Sequence, residues 1–257
     1  MTLLELIINQ KLEEITEAKR RTSLEKLKAS PFFSRESLSL KKTLKSKTGI
    51  IAEFKRKSPS KGLINAEAKV FEVAPEYEQY GASAISILTD NEFFGGSSND
   101  IESVRLEIQI PILRKDFILD PYQIFESKAI GADLILLIAA CLSAAQVEEY
   151  TSLAHELGLE VLLEIHSEEE LDHLNKDIDL VGINNRNLHD FKVDLDHSIR
   201  LKDSLPKGIL SIAESGISSK ENFLFLKEKG FDGFLMGEYF MKHPSPGLAF
   251  NEFVNPF

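Results

Sequence analysis

The sequence predicts an α/β fold, a (β/α)8 TIM barrel that carries an N-terminal helical extension. Three observations support this prediction. From residue 49 onward, eight short apolar segments recur, amphipathic helical segments separate them, and three of these helical segments end in glycine before the next strand. A doubly wound open sheet would show the same alternation. However, no G-x-G-x-x-G motif follows the first strand, and eight even repeats favour closure into a barrel.

The first 45 or so residues differ from the rest and predict helices that pack on the barrel. Apolar residues recur there at helical spacing, and a second, basic helical stretch follows before Pro31: Leu4, Ile8, Leu12 and Ile15, then Leu24 and Leu27. We therefore expect one domain over residues 1–257, in which residues 1–45 are a helical extension.

The predicted barrel strands are the apolar segments Ile50–Phe54, Ala84–Leu88, Ile110–Leu113, Leu134–Ile138, Val161–Ile165, Val181–Ile183, Leu210–Ala213 and Gly233–Met236. Amphipathic patterns between them predict helices, of which the clearest are Pro121–Ile130, Ser143–Leu157 and Ser218–Lys229. The glycines expected to end helices are Gly81, Gly131 and Gly158.

The composition limits the partners and ligands that the protein is expected to bind. The chain has 257 residues, 43% of them apolar, and 30 basic against 41 acidic residues give a net charge of −11. This charge argues against nucleic acid and anionic membranes as partners but allows a small anionic ligand. Cys141 is the single cysteine, so no internal disulfide is expected, and neither a signal peptide nor a membrane-spanning run is visible. We expect a cytoplasmic monomer, with a weak homo-oligomer as the alternative.

Polar residues lie at or just beyond the carboxyl ends of five of the predicted strands. In a barrel, the carboxyl ends of all strands meet at one face, where active sites lie. Buried charges persist in proteins only when they are paired or functional, so their convergence favours an active site over structural ion pairs. These residues are Glu53 and Lys55, Arg114 to Asp116, Glu164 and His166, Asn184 and Arg186, and Glu214 and Ser215.

Two glycine-bearing turns predict a phosphate site. Gly216 follows the seventh predicted strand and Gly237 the eighth, and in barrels these two loops commonly present backbone N–H groups to a phosphate. Lys55 and Ser58 lie in the first loop nearby. The alternative for Gly216 is an ordinary left-handed turn residue.

Five apolar residues and two histidines are further candidates for roles near this rim. The apolar candidates for a pocket around an aromatic group are Phe93, Phe94, Phe117, Leu136 and Ile138, with ordinary packing as the alternative. The spacing of His166 and His173 suits no tight metal site, so both are interpreted as surface or loop histidines. No metal or cofactor is expected.

Eight ordered motifs resemble those of the indole-3-glycerol phosphate synthase family, from about residue 49 to the C-terminus. They are IAEFKRKSPSKG (51–62), SILTDNEFFGGS (86–97), LRKDFILDPYQI (113–124), GADLILLIAA (131–140), LEIHSEEEL (163–171), GINNRNLHDFKVDL (182–195), AESGI (213–217) and LMGEYFM (235–241).

This resemblance implies an enzyme of tryptophan biosynthesis, a carbon–carbon lyase that acts on a phosphorylated small molecule. By motif, Lys115 matches the catalytic lysine of the family and Glu164 its catalytic glutamate. Further active-site positions are matched by Lys55, Glu53, Asn184 and Glu214, and the phosphate-holding loops by Ser215, Gly216, Gly237 and Glu238.

The chemistry implied by the resemblance needs an acid at a ketone oxygen and a base in a later dehydration. We assign Lys115 as the acid of ring closure and Glu164 as the base, with Glu53 and Glu214 paired to the two lysines. Lys55 either shares the acid role or holds a substrate carboxylate or phosphate. Two alternatives stay open at this point: a Schiff-base aldolase that uses Lys115 or Lys55, and a noncatalytic phosphate-binding barrel.

Overall fold

The computed structural model describes residues 1–186 and 193–255. Within these residues, eight parallel strands close into a barrel in the order β1-β10-β9-β8-β7-β6-β5-β4, and helices connect them. The predicted (β/α)8 barrel with an N-terminal helical extension is therefore confirmed. The part of the sixth family-like motif at residues 187–192 lies outside the described residues.

The strands are β1 (Ile50–Phe54), β2 (Lys57–Ser58), β3 (Gly62–Leu63), β4 (Ala84–Leu88), β5 (Ile112–Lys115), β6 (Leu134–Ile138), β7 (Glu160–Ile165), β8 (Leu180–Asn184), β9 (Leu210–Glu214) and β10 (Gly233–Met236). The helices are α1 (Leu3–Arg21), α2 (Leu24–Lys28), α3 (Leu40–Ser46), α4 (Val70–Gln79), α5 (Ser98–Val104), α6 (Pro121–Ala129), α7 (Ala144–Glu156), α8 (Leu195–Asp203), α9 (Lys220–Glu228), α10 (Glu238–Met241) and α11 (Pro246–Val254). The strands β2 and β3 form a small antiparallel hairpin after β1, outside the barrel.

Three predicted strands stop too early at their carboxyl ends. The strands β5, β8 and β9 run on to include Lys115, Asn184 and Glu214. A boundary placed at the last apolar residue misses them because these polar side chains still belong to the pleated ladder and point into the barrel mouth. The strand β5 also begins at Ile112 rather than Ile110, because Pro111 has no N–H to donate to a ladder.

Helix boundaries follow from local chemistry. Ser143, which opens the helix predicted after β6, is its N-cap and accepts from the Gln146 N–H. The helix predicted from Ser218 has its N-cap one residue later, at Ser219, which accepts from the Asn222 N–H. The predicted glycine stops are also confirmed, since Gly81, Gly131 and Gly158 all have positive φ.

The barrel interior contains a layer of apolar side chains below a layer of polar ones. Its buried apolar layer includes Ile51, Leu113, Leu162, Leu180, Ile212 and Leu235, and Leu40 and Leu44 of α3 pack against it from the end opposite the carboxyl ends of the strands. Because side chains alternate along a strand, the next inward position on β1 after Ile51 is Glu53. The apolar layer therefore forms a floor on which charged groups at the rim can be held.

The N-terminal extension is tied to the rim by a buried ammonium group. Lys11 of α1 is 4% exposed, and its Nζ lies 2.9 Å from Asp90 Oδ2 and 3.0 Å from Asp116 Oδ1. Asp116 follows Lys115 directly and also pairs with Arg114 at 3.1 Å. This cluster positions α1 over the carboxyl ends of β4 and β5. No helix in residues 1–186 and 193–255 combines the length and the apolar character needed to cross a membrane.

Replacing Lys11 by methionine should lower the free energy of unfolding by about 3 kcal/mol. The substitution leaves two carboxylates buried beside an apolar side chain, and breaking a buried ion pair typically costs this much. Urea denaturation followed by circular dichroism measures the change. The control is Lys19→Met, which removes a pair to Asp120 from a lysine whose side chain is 46% exposed and should cost less than about 1 kcal/mol. Equal effects of the two substitutions would contradict the role given to Lys11.

Candidate active site

A cavity of about 220 Å³ lies at the carboxyl ends of the barrel strands. Eleven of the residues singled out from the sequence line it: Glu53, Lys55, Ser58, Lys115, Glu164, Asn184, Glu214, Ser215, Gly216, Gly237 and Glu238. Residues that are far apart in the sequence thus meet at one rim because the carboxyl ends of parallel barrel strands share one face.

Lys115 is at the centre of this site, between two buried carboxylates. Its Nζ donates to Glu164 Oε2 at 2.7 Å and to Glu214 Oε2 at 3.0 Å. Burial by itself lowers the pKa of Lys115, but the carboxylates of Glu164, Glu214 and Glu53 outweigh it and raise the pKa above its ordinary value. Lys115 is therefore an ammonium group at neutral pH.

Glu164 is surrounded by donors and cations. Besides Lys115 at Oε2, Asn184 Nδ2 donates to Oε1 at 3.1 Å, and His166 Nε2 lies 3.1 Å from the same oxygen. Burial opposes ionisation, but the charges of Lys115 and His166 hold the pKa of Glu164 well below its ordinary value. The interpretation of His166 as a surface or loop histidine is wrong in one respect: it follows β7 in a loop, yet its side chain is only 10% exposed and contacts Glu164.

The pKa of Glu214 is shifted in the direction opposite to that of Glu164. Burial and repulsion from the nearby Glu164 raise the pKa of Glu214, and the charge of Lys115 offsets them only in part. The resulting pKa is about 7. Its Oε1 is buried with no hydrogen-bond partner among the described residues. The carboxylate has room only because residue 182 on the neighbouring strand is glycine, where a Cβ would overlap Oε1.

Glu53 and Lys55 form the second ion pair of the rim, with Lys55 Nζ 2.6 Å from Glu53 Oε2. The side chain of Lys55 is 17% exposed and borders the cavity, whereas Glu53 lies deeper, with its side chain 5% exposed. Gly237 leaves the space that Glu53 occupies, because a Cβ at 237 would overlap the Glu53 carboxylate.

The turn after β9 borders the cavity and contains two successive residues with positive φ. Ser215 and Gly216 both have positive φ, +63° and +70°, and such a conformation is strained for the serine. Asn185 Nδ2 stabilises the turn by donating to the Ser215 carbonyl at 2.6 Å. Successive residues of this kind can turn their N–H groups into one concavity that suits a phosphate.

The loops after β1, β8 and β10 approach one another at one side of the cavity. Arg186 donates to Ser60 Oγ at 2.8 Å, and its guanidinium lies 3.8 Å from Glu238. Glu238 also lies 3.3 Å from Lys61 Nζ, with its side chain 41% exposed. Arg186 places a guanidinium group at this side of the cavity, where its position after a predicted strand had indicated a rim residue.

The apolar wall of the cavity contains residues that the sequence predicted and residues of α1 that it did not. Four predicted apolar residues line the cavity, namely Phe94, Phe117, Leu136 and Ile138, whereas Phe93 does not line it. Sequence reasoning missed Leu3, Leu4 and Ile7 of α1, which close the same wall. The contacts of Lys11 with Asp90 and Asp116, which join distant parts of the chain, hold α1 at the cavity.

A metal site would need several His, Cys, Asp or Glu side chains close together. Within the part of the chain that the structure describes, no group of three or more His, Cys, Asp or Glu side chains has an arrangement that could hold a metal ion. His173, on the turn at Glu168–His173, is half-buried and hydrogen-bonds through Nε2 to the Leu142 carbonyl at 2.9 Å. It is separate from the cavity lining.

Comparison with known proteins decides the family. A sequence model of the family described as indole-3-glycerol phosphate synthase matches residues 4–253. The chain belongs to the indole-3-glycerol phosphate synthase family. A relative named indole-3-glycerol phosphate synthase from Bacteroides thetaiotaomicron is 50% identical over 253 residues, which cover 98% of this chain and 97% of the relative. Another of that name from Salinibacter ruber is 42% identical over 97% of this chain and 94% of its own length.

Solved structures show the same fold at low sequence identity. The tryptophan synthase subunit alpha from Legionella pneumophila matches with a TM-score of 0.62 at 14% identity, over 84% of this chain and 96% of that one. A thiamine phosphate pyrophosphorylase from Pyrococcus furiosus matches with a TM-score of 0.58 at 19% identity, over 79% and 92%. These likenesses concern the barrel alone.

Membership of the indole-3-glycerol phosphate synthase family confirms the function class expected from the motifs. The chain is an enzyme of tryptophan biosynthesis, a carbon–carbon lyase that forms indole-3-glycerol phosphate and acts on a small phosphorylated substrate.

The raised pKa of Glu214 predicts a pH-dependent difference in stability. The folded protein holds this proton more tightly than an unfolded chain, in which glutamate titrates near 4.5, so the stabilisation is complete below that pH and is lost as the pH rises through about 7. The free energy of unfolding of the native protein should therefore fall relative to Glu214→Gln by about 3 kcal/mol between pH 5 and pH 8. Urea titrations at several pH values measure it.

The matched control is Glu13→Gln, at an exposed position on α1. Its stability should run parallel to that of the native protein over the same pH range. A constant difference between the native protein and Glu214→Gln would show that Glu214 takes up no proton in this range.

Proposed function

We propose that this cavity converts 1-(2-carboxyphenylamino)-1-deoxyribulose 5-phosphate into indole-3-glycerol phosphate, CO2 and water, with Lys115 as general acid and Glu164 as general base. The observation that carries the proposal is the placement of the Lys115 ammonium 2.7 Å from Glu164 and 3.0 Å from Glu214 inside the cavity. Acid and base are thus within reach of one bound molecule.

The shape and charge of the cavity support one orientation of the substrate. The phosphate would bind at Ser215–Gly216 and Gly237–Glu238, with Ser58 and Arg186 on the same side. The aromatic ring would lie against Phe94 and Phe117, whose ring centroids are 6.2 Å apart. This orientation places the ketone of the sugar chain between the two ends, beside Lys115.

Ring closure joins the aromatic carbon that bears the carboxylate to the ketone carbon. As this bond forms, the ketone oxygen takes the proton of the Lys115 ammonium, which neutralises the alkoxide that would otherwise develop. The carboxylate then leaves as CO2, and the electrons of the broken carbon–carbon bond restore the aromatic ring.

Dehydration completes the indole. The hydroxyl formed from the ketone leaves as water with a proton from an ammonium group, either Lys55 or a Lys115 that has first regained a proton from solvent. Glu164 removes the proton from the neighbouring ring carbon, and the electrons of that C–H bond form the new double bond. Lys55, which pairs with Glu53 at 2.6 Å and borders the cavity, is also suited to hold the substrate carboxylate before it leaves.

The two alternatives fit this site less well. A Schiff-base aldolase needs a neutral lysine, whereas the carboxylates around Lys115 overcome the effect of burial and raise its pKa. A noncatalytic phosphate binder would not need a buried ammonium group shared by two carboxylates. Borohydride treatment with a keto-phosphate discriminates between the readings, because a covalent adduct at Lys115 or Lys55 would refute acid catalysis.

Lys115→Ala should lower kcat by about 10³-fold or more, because the ketone oxygen loses its proton donor. Inorganic phosphate should still bind within about threefold of its native affinity, since the phosphate turns lie on other strands. Indole fluorescence measures turnover, and isothermal titration calorimetry measures phosphate binding. The control is Lys45→Ala, at an exposed lysine of α3 that does not line the cavity, and it should keep native turnover and phosphate binding. Native turnover by folded Lys115→Ala would refute the assignment.

Glu164→Gln should slow dehydration and allow a cyclised, decarboxylated intermediate to accumulate. The amide keeps the size of the side chain but cannot take a proton. Rapid quench followed by mass spectrometry detects the intermediate, which has the mass of the product plus one water. Should the overall rate stay unchanged, the base would have to be Glu53 or Glu214.

The cellular setting and assembly are part of the same proposal. We expect a cytoplasmic enzyme that works as a monomer and as one domain. Residues of a single chain, including α1, line the cavity, and Cys141 is a free cysteine. Sedimentation at micromolar concentration tests the monomer.

A further inference from the structure

His166 occupies an unusual position for a loop histidine. It follows Glu164 by two residues, so strand alternation directs both side chains to the same side. Its Nε2 lies 3.1 Å from Glu164 Oε1, and its Nδ1 lies 3.5 Å from Glu170 Oε2. One ring is thus held between two carboxylates, one in the active site and one on the turn at Glu168–His173.

The backbone of His166 is fixed by the same neighbours. Its N–H donates to Glu170 Oε2 at 2.6 Å, and its carbonyl accepts from His197 Nε2 of α8 at 2.9 Å. The backbone that carries the ring is therefore held in place beside Glu164. His166 is not among the residues that line the cavity, so it reaches the substrate only through Glu164.

The charges around the ring favour its protonated form. Glu164 of β7 and Glu170 face it directly, the half-buried thiol of Cys141 lies near both carboxylates, and His197 contacts its carbonyl. Burial lowers the pKa of His166, but the two glutamates outweigh burial and raise it to about 10. An imidazolium carries N–H groups on both ring nitrogens. Both nitrogens are buried and lie at ion-pair distances from the carboxylates, and neither has a hydrogen-bond partner of good geometry among the described residues.

We propose that His166 is a positioning residue of the active site, whose imidazolium, anchored by Glu170, orients the Glu164 carboxylate and keeps it ionised during the reaction. This inference rests on the proposed role of Glu164 as the base of dehydration. Once Lys115 has given its proton to the substrate, Glu164 loses the ammonium charge at Oε2. The imidazolium at Oε1 then remains as the cation beside the carboxylate, while Asn184 supplies only a neutral hydrogen bond.

The test uses His166→Leu, which removes both ring nitrogens, and His166→Gln, which keeps a donor but no charge. For His166→Leu we expect kcat to fall by about 10²-fold, KM to change by less than about threefold, and the cyclised intermediate to accumulate. The acidic limb of the kcat profile should move up by about one pH unit, since Glu164 loses an adjacent positive charge. His166→Gln should recover about tenfold in kcat while its acidic limb stays shifted.

Two controls separate this role from a structural one. His173→Gln alters the other histidine of the same segment, which does not contact Glu164, and should keep the native kcat and pH profile. Glu170→Gln weakens the anchor of the imidazolium and should move the alkaline limb of kcat to lower pH, since His166 then loses its proton more easily.

Native kcat and an unshifted acidic limb in both His166→Leu and His166→Gln would overturn the proposal. A rise in KM with unchanged kcat would overturn it as well, because His166 would then act in substrate binding. Failure of the proposed function has a different signature: Glu164→Gln itself would retain native turnover, whatever the His166 variants do. If His166→Leu does not fold, the acidic limb of His166→Gln decides alone.

Discussion

The structure of this site depends on one ammonium group shared by two buried carboxylates. Lys115 at the end of β5 bridges Glu164 of β7 and Glu214 of β9, so it connects three strands of the barrel at the rim. Each of these groups would be costly to bury alone. Together they keep an ammonium group and two carboxylates next to one another. The pKa of Glu164 is lowered because Lys115 and His166 both act on it, whereas Lys115 only partly offsets the burial and repulsion that raise the pKa of Glu214.

Two glycines near the rim leave the space that these charged side chains occupy. Gly182 faces Glu214 and Gly237 faces Glu53, and a methyl group at either position would overlap a carboxylate. Both glycines lie at inward positions near the carboxyl ends of the barrel strands, where a side chain would otherwise fill the mouth. The same strands supply the apolar floor below, which keeps water out of the ion pairs and strengthens them.

The fold and most of the rim could be predicted from the sequence because both depend on local periodicity. Glu53, Lys115 and Glu214 lie at the carboxyl ends of apolar strands, and the period of two with parallel strands places them together. Leu3 and Ile7 of α1 could not be assigned to the cavity, since the contact of Lys11 with Asp90 and Asp116 spans distant parts of the chain. His166 was misjudged because its burial depends on how the following turn folds back to bring Glu170 onto its ring.

The protonation state of Lys115 is the most direct test of this account. Two-dimensional NMR of the protein labelled with 13C-lysine, assigned with Lys115→Met, follows its Cε resonance as the pH is raised. The account predicts the ammonium shift up to at least about pH 10, at or beyond the ordinary titration range of lysine. A titration of that resonance near pH 7 to 8 would show a neutral amine and contradict it.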